Sequence, residues 1–173
     1  MAALATSAPS IATRARSVLV RRAGAFTLDA AFALLIALLA GVAPTDKARL
    51  FGIGLIVGGV YILFRDGLPG PLRGRSLGKR MLGLQPIRLG GVLVDLATSA
   101  RRNWTVALVF LLPGIANAVL GFRQLVFAGN VGLADVLMIA GVGLLLVEMV
   151  LVLVDPVARR IGDRMGQTRV IEA

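Results

Sequence analysis

Four long apolar runs, separated by short polar turns and one longer polar segment, dominate the chain. A helix needs about 20 predominantly apolar residues to cross a bilayer core about 30 Å thick. The second run is short, but a snorkelling Arg49 can extend its reach. The pattern predicts an all-α integral membrane protein built as a bundle of four transmembrane helices. These spans are expected at about residues 23–42, 49–64, 104–122 and 133–154.

The polar segments suggest how the rest of the chain is arranged. Residues 1–20 are rich in Ala, Ser and Thr and contain no acid, which predicts a disordered tail, with a transit peptide as the alternative. Residues 65–103 form the longest polar segment, a loop that is too small to bury a core of its own. Within this loop, the stretch LQPIRLGGVLVD predicts two short β strands around a Gly-Gly turn.

Composition supports the membrane assignment and removes several function classes. The chain is 57% hydrophobic and only 16% charged, whereas soluble domains carry about 25% charged residues. The net charge of +10 could suggest nucleic acid, but the basic residues lie between apolar runs rather than along one face. The absence of Cys and His removes thiol chemistry and the commonest metal ligands and general base. We therefore expect no nucleic-acid partner, no metal, no cofactor and no enzymatic activity.

The distribution of basic residues predicts the orientation. Sixteen of the 19 Lys and Arg residues lie before the first span, in the 65–103 loop or after the fourth span. Basic residues concentrate on the cytoplasmic side of membrane proteins. We therefore expect both termini and the loop to be cytoplasmic, in a bacterial plasma membrane.

Charged residues inside the spans mark a candidate site. Asp29 lies in the first span, and Arg22, seven residues earlier, shares its helix face about 10 Å away. Charges at that depth usually face the bundle interior or a polar cavity. Glu148 and Tyr61 lie in the same half of the membrane, so we predict an intramembrane polar site of Arg22, Asp29, Tyr61 and Glu148, with Asp66, Arg101 and Arg102 beneath it. The alternative is that these groups only pair and fix the helix register.

The stretch GRSLGKRMLGL predicts an amphipathic basic segment. Its apolar and basic residues alternate at helical spacing, with Leu77, Met81 and Leu84 opposite Arg75, Lys79 and Arg80. Such a segment suits the headgroup region, so we expect its three basic residues to bind anionic lipid. It is one residue too short for a phosphate-binding loop and has no Ser or Thr after its Lys, which excludes that function.

These features together resemble the RDD family of small membrane proteins. The resemblance is carried by Arg22 and Asp29, by GRSLGKRMLGLQPI with a later Gly-Gly, by Arg102-Asn103 and by RRIGDRMGQTRVI. It covers about residues 21–171 and implies one membrane domain.

The resemblance also implies a set of signature positions. The family is named for one Arg and two Asp; Arg22 and Asp29 fit the first two positions, and Asp163 is the preferred match for the third, with Asp66 and Asp155 as alternatives. The implied signature positions are Arg22, Asp29, Gly74, Ser76, Gly78, Lys79, Arg80, Gly83, Arg102, Asp163 and Thr168.

The match suggests a pairing between the C-terminal segment and the loop. Residues 168–171 are β-branched and short, like the two strands predicted within the loop. We expect them to form one small sheet, which would place Asp163 among the Arg residues of the loop.

Two functions fit these features. Intramembrane carboxylates can exchange protons or bind cations, which favours a small transporter or ion-coupled carrier. Because four spans are few for a pathway, a homo-oligomer would be expected. The alternative is a non-catalytic scaffold or accessory subunit that docks partners or anionic lipid on its basic cytoplasmic face. A lipid-modifying or lipid-binding role ranks below both, because only carboxylates and Tyr61 could supply its chemistry.

Overall fold

The fold is a helical bundle with a small β sheet at one end. A computed structural model describes residues 11–42, 46–72, 74–120, 126–127, 131–155 and 159–172. In chain order the elements are α1 (Ile11–Gly41), α2 (Lys47–Phe64), a 3-10 turn (Gly70–Leu72), α3 (Leu77–Met81), β1 (Leu84–Arg88), α4 (Leu96–Leu120), β2 (Val126–Phe127), β3 (Val131–Gly132), α5 (Leu133–Val154), α6 (Ile161–Met165) and β4 (Thr168–Glu172).

Within the described residues, four helices are long and apolar enough to cross a membrane. They are Val18–Gly41 within α1, Lys47–Phe64, Leu96–Val119 within α4 and Asp135–Val154 within α5. Many of their large apolar side chains are exposed on the bundle surface, as expected for helices that face lipid. The predicted fold class, an all-α bundle of four membrane helices with a small β element, is therefore confirmed.

The first helix begins earlier than predicted. α1 starts at Ile11, so the second half of the predicted disordered tail is helical. Ala and Arg are frequent between residues 11 and 20, and both favour helix. The helix can therefore begin before the apolar part of the first span. Residues 1–10 of the predicted tail lie outside the described residues.

The third span also begins earlier than predicted. α4 starts at Leu96 rather than at residue 104, which shortens the preceding loop. Polar residues in its first turns, including Ser99 and Arg102, are fully buried rather than solvated. Buried polar groups need fixed partners, and a helix positions them for those partners. The predicted end of this span, residues 121–122, lies outside the described residues.

Small residues let α1 and α2 pack closely. A Cβ added at Gly54 would lie 2.5 Å from the Cα of Ala37, and one at Gly58 would lie 2.8 Å from the carbonyl oxygen of Ala33. Helices in lipid associate through such close backbone contacts because burial of apolar surface gives them little gain. The GxxxG pair of α2 therefore has a definite partner in α1.

The small sheet joins the loop to the C-terminal segment. β1 and β4 pair antiparallel, with Leu84 opposite Glu172 and Arg88 opposite Thr168. The predicted pairing of these segments is therefore confirmed. The other strand predicted in the loop is reduced to an isolated bridge between Ile87 and Leu93.

Two short helices fit against the bundle beside this sheet. Gly78 of α3 packs on the backbone of Ala25 in α1, and Gly162 of α6 packs on the backbone of Arg102 in α4. At either glycine a Cβ would overlap a carbonyl oxygen, so a larger residue would separate the short helix from the bundle. We call the end of the bundle that carries α3, α6 and the β1–β4 sheet the polar end.

Candidate functional site

Asp29 is fully buried and has three hydrogen-bond donors. Its Oδ1 accepts from the Tyr61 hydroxyl at 3.0 Å and from the Gly78 backbone N–H at 2.9 Å, and its Oδ2 accepts from Arg65 Nη1 at 3.0 Å. The Arg65 guanidinium also lies 5.7 Å from the ring centroid of Phe26. Burial lowers the pKa of Arg65, although the Asp29 carboxylate opposes this shift. The predicted neighbours Asp29 and Tyr61 are thus in contact, but the cation beside them is Arg65, which the sequence did not suggest.

Arg22 lies on the same helix as Asp29 but pairs with a different acid. Its Nη2 donates to Oδ2 of Asp163, which is fully buried in α6. Asp163 also lies 2.8 Å from Arg102 Nε and accepts from the Arg160 backbone N–H at 3.2 Å. Burial alone would raise the pKa of Asp163, but Arg102, Arg160 and Arg22 hold it below its usual range. Asp163 therefore links the C-terminal segment to α1 and α4.

Lys79 points into the protein rather than toward lipid headgroups. Its ammonium donates to Oδ1 of the fully buried Asp66, whose Oδ2 accepts from Asn103 Nδ2 at 3.1 Å and lies 3.6 Å from Arg102 Nε. Burial would raise the pKa of Asp66, but Lys79 and Arg102 together lower it. Burial also lowers the pKa of Lys79, which Asp66 opposes. Lys79 therefore does not lie on an outer basic face of α3 as the amphipathic pattern predicted, because the Gly78 contact turns it inward. Arg80 is exposed, and the binding of headgroups remains a prediction.

Within the described residues, Glu148 shares no direct hydrogen-bond or ion-pair partner with Asp29. Glu148 is buried in α5, where its Oε1 accepts from the Thr105 hydroxyl of α4. The nearest cation to it in the described chain is Arg160, whose Nη1 is 4.0 Å from Oε2. The two acids face different neighbours: Asp29 faces α2 and α3, whereas Glu148 faces α4. Equal depth in the membrane therefore does not make them neighbours.

Asn103 connects these two regions. Its Oδ1 accepts from Arg160 Nη2 at 3.2 Å and from Arg65 Nη2 at 3.5 Å, while its Nδ2 donates to Asp66. Although burial alone would lower the pKa of Arg160, the carboxylates of Asp163 and Glu148 raise it. All of these ionised groups form one network, which we call the charge cluster. Its members are Arg22, Asp29, Arg65, Asp66, Lys79, Arg102, Glu148, Arg160 and Asp163.

The charge cluster has an excess of positive charge. It contains five basic side chains and four carboxylates, so its formal charge is +1. The terminal nitrogens of Arg102, Nη1 and Nη2, are buried and have no hydrogen-bond acceptor in the described part of the chain. Arg101, which the sequence analysis placed beneath the predicted site, is exposed and is not a member of the cluster. The cluster therefore offers an anion both net charge and unused donors.

A cavity of about 380 Å³ borders the charge cluster. Apolar residues of α1 and α5 form facing walls, including Leu19, Ala23 and Phe26 on α1 and Val142, Leu145 and Met149 on α5. The charged residues that line it are Arg22, Arg65, Lys79, Arg102, Glu148 and Arg160. Glu148 is therefore the one intramembrane carboxylate of the predicted site that reaches this cavity, since Asp29 does not line it.

Within the described residues, no group of three or more acidic side chains is placed to hold a metal ion. Every carboxylate of the cluster has a basic neighbour within 4.0 Å. The site can therefore bind charged groups and exchange protons.

Sequence reasoning missed two basic residues and one hydroxyl of the cluster. Arg65 directly follows an apolar span, a position where Arg usually snorkels to phosphate. Arg160 lies in the C-terminal segment, 57 residues from Asn103. Thr105 is uncharged and gives little signal in an apolar run. The signature Arg102-Asn103, at the start of the third span, did point toward this centre.

Comparison with known proteins agrees with this architecture. The family model described as the RDD family matches residues 16–167, which is most of the chain. A search of curated proteins and a search of solved structures found no match. The matched range includes the four membrane helices and all nine members of the charge cluster. The chain therefore belongs to the RDD family of integral membrane proteins.

Proposed function

We propose that this protein is a small membrane transporter whose solute occupies the cavity between α1 and α5. The observation that carries the proposal is the position of Glu148, a buried carboxylate in the wall of the cavity between the membrane helices α1 and α5. Cavities of 300–1,000 Å³ are the usual size for small-ligand sites, and this one measures about 380 Å³. Ionisable residues within membrane spans commonly lie on solute and proton pathways.

Glu148 is the group that we propose couples transport to proton movement. In the described part of the chain it accepts one hydrogen bond, from Thr105, and its nearest cation, Arg160, lies at 4.0 Å. Asp29, in contrast, accepts from three donors, one of them the guanidinium of Arg65. A carboxylate with few fixed partners beside a cavity loses less when it takes up a proton. Four spans are few for a complete pathway, so we also propose that the protein works as a homo-oligomer.

We further propose that the polar end faces the cytoplasm of a bacterial plasma membrane. The concentration of Lys and Arg at this end supports the orientation. The chain has no Cys, so single cysteines report cleanly on sidedness. Exposed Arg80 at the polar end and exposed Lys47 at the opposite end are suitable sites. In intact cells, a membrane-impermeant maleimide should label Lys47→Cys and spare Arg80→Cys; the reverse pattern would contradict the orientation.

Transport is tested with purified protein in liposomes that contain a pH-sensitive dye. A pH gradient is imposed, and sodium, potassium and organic-anion salts are added in turn. We expect at least one salt to drive a proton flux that Glu148→Gln abolishes. Asp135→Asn is the matched control, because Asp135 is an exposed carboxylate on the same helix, where it accepts from the Gly132 backbone N–H. Undiminished flux in Glu148→Gln would exclude the proposed coupling.

The outer face of α3 favours a second candidate, the scaffold or accessory subunit. Leu77 and Met81 are exposed, 39% and 66% respectively, next to the exposed Arg80. A mixed apolar and basic face of this kind suits a protein partner or the headgroup layer. Crosslinking of the wild-type protein in its native membrane, compared with Met81→Asp, distinguishes the two. A specific crosslinked partner that disappears in Met81→Asp, together with no flux in liposomes, would favour the scaffold.

A further inference from the structure

We infer that the cavity between α1 and α5 binds an anionic phospholipid, with the headgroup against the charge cluster and an acyl chain along the helix walls. The inference rests on the same cavity as the proposed transport function and names the chemical class of its ligand. It follows from three observations: the charge at the inner end of the cavity, the apolar character of its walls, and the position of the cavity within the membrane span.

The charge of the cluster selects an anion. Its formal charge of +1 is not balanced within the described chain, and burial makes an unbalanced charge costly. Arg22 and Arg160 are the accessible cations, because their side chains are 10% and 14% exposed, whereas Arg102 behind them is 0% exposed. A phosphate oxygen near Arg22 and Arg160 would therefore accept charge-assisted hydrogen bonds from them. The positive charge of Arg102 behind them would attract the phosphate further.

Glu148 does not cancel this preference. Its charge is already included in the net +1, and its Oε1 is occupied by the Thr105 hydroxyl. Glu148 and Asp163 lie 4.0 and 3.8 Å from Arg160, beyond hydrogen-bond distance, which leaves the guanidinium able to donate to a third anionic partner. Arg160 also donates to Asn103, which fixes the orientation of its planar group toward the cluster.

The walls of the cavity select a hydrocarbon chain. On α5 the lining residues Val142, Leu145, Leu146, Met149 and Val152 repeat at intervals of three and four, so they form one continuous stripe about 15 Å long. Apolar residues of α1 face this stripe across the cavity. An inorganic anion would leave both walls without a partner, whereas an acyl chain would cover them.

The location of the cavity between membrane helices favours a lipid as the molecule that supplies the hydrocarbon chain. Both wall helices are membrane spans whose outer faces carry exposed apolar residues such as Leu39 on α1 and Leu153 on α5. A molecule in the bilayer is therefore adjacent to the cavity without crossing water. Basic pockets between membrane helices are known to hold anionic headgroups.

Native mass spectrometry of the full chain tests the inference. Protein in neutral detergent is incubated with equal amounts of phosphatidylglycerol and phosphatidylcholine that have identical acyl chains. We expect one dominant adduct, with phosphatidylglycerol. Equal binding of the two lipids would overturn the anionic requirement. Displacement of the adduct by excess inorganic phosphate would overturn the requirement for an acyl chain.

Variants locate the adduct. Ala23→Phe fills the cavity from α1 without removing a charge, so we expect it to weaken phosphatidylglycerol binding by at least about tenfold. Ala31→Phe is the matched control, since Ala31 is exposed on the same helix and does not line the cavity. Met149→Trp fills the cavity from the opposite wall and serves if Ala23→Phe does not fold. An adduct that survives both cavity variants, or that is lost instead in the exposed Arg80→Gln, would show a surface site and overturn the inference.

The lipid site and the transport function can fail separately. Glu148→Gln should abolish proton-coupled flux but increase phosphatidylglycerol binding, because it raises the formal charge of the cluster from +1 to +2. If phosphatidylglycerol binding rises in Glu148→Gln but the wild-type protein shows no flux, the lipid site is supported and the transport function is excluded. If the wild-type protein shows flux but no phosphatidylglycerol adduct, the transport function is supported and the lipid site is excluded.

Discussion

Asp29 and Glu148 are both buried carboxylates in membrane helices at the polar end, yet their surroundings differ. Asp29 accepts three hydrogen bonds at 2.9–3.0 Å, one of them from the guanidinium of Arg65. Among the residues that the structure describes, Glu148 accepts one hydrogen bond, from Thr105, and its nearest basic neighbour lies at 4.0 Å. Asp29 is enclosed by protein, whereas Glu148 lines the cavity between α1 and α5.

This difference separates structural from functional roles within one charge cluster. A buried carboxylate with a close cation and several donors stabilises the fold only while its partners are present. A buried carboxylate with few partners beside a cavity contributes little to stability and can respond to a proton or a ligand. Asp66 and Asp163 resemble Asp29 in this respect, because each has a close basic partner and is fully buried. Glu148 is the exception.

The largest expected effect comes from Asp163→Asn, which tests the structural side of this comparison. Asp163 lies among Arg22, Arg102 and Arg160, so its neutralisation leaves three buried cations without their shared anion. We expect the free energy of unfolding to fall by about 3–5 kcal/mol. The measurement is thermal and denaturant unfolding in detergent micelles. Asp46→Asn, at an exposed ion pair with Arg49, should show little change; equal losses for the two variants would contradict the structural role.

Asp29→Asn should have the next largest effect. The amide keeps an acceptor for Tyr61 and for the Gly78 N–H, but it removes the charge that pairs with Arg65. We expect a loss of about 3 kcal/mol, at the low end of the range for breaking a buried ion pair. A thermal melt of the variant in the same micelles gives this value. A stable Asp29→Asn protein with altered flux would instead assign Asp29 a functional role.

Glu148→Gln should have a small effect on stability and a large one on flux. Glutamine keeps an acceptor for the Thr105 hydroxyl, and the ion pair that is lost spans 4.0 Å. We expect the free energy of unfolding to change by less than about 1 kcal/mol, since removing a weakly paired buried charge also removes its desolvation cost. The same melts, run beside Asp29→Asn, check this contrast. A loss of stability as large as that of Asp29→Asn would remove the distinction between the two acids.

The sequence predicted the scaffold of this site better than the site itself. The apolar runs predicted four spans, and the β-branched residues near the C terminus predicted a short strand, because both features depend on local pattern. The pairing of that strand with β1 followed from the family resemblance. The pairing of Arg22 with Asp163 spans 141 residues and has no local signal. Helical periodicity placed Arg22 on the face of Asp29, but about 10 Å of separation leaves a long Arg side chain free to reach another acid.

The direction in which α3 faces could not be predicted either. Its alternation of apolar and basic residues fits a helix on the membrane surface as well as one packed on the bundle. Gly78 decides between these, because only a residue without Cβ allows α3 to contact the Ala25 backbone, and that contact turns Lys79 toward Asp66. The sequence shows Gly78 but does not indicate that it packs against α1.

The smallest effect is the dependence of stability on pH near neutrality. Lys79 and Arg102 keep the pKa of Asp66 below its ordinary value of 3.8 against the effect of burial, and Arg102, Arg160 and Arg22 do the same for Asp163. A carboxylate whose pKa is lower in the folded state stabilises the fold fully above its unfolded pKa and loses this contribution as pH falls below it. We therefore expect unfolding free energies to be nearly constant from about pH 7 to 5 and to decline only below about pH 4. Thermal melts across this range measure how the free energy of unfolding depends on pH, and the decline should be less steep in Asp163→Asn. A loss of stability between pH 7 and 5 would show that these carboxylates are not held ionised by their partners.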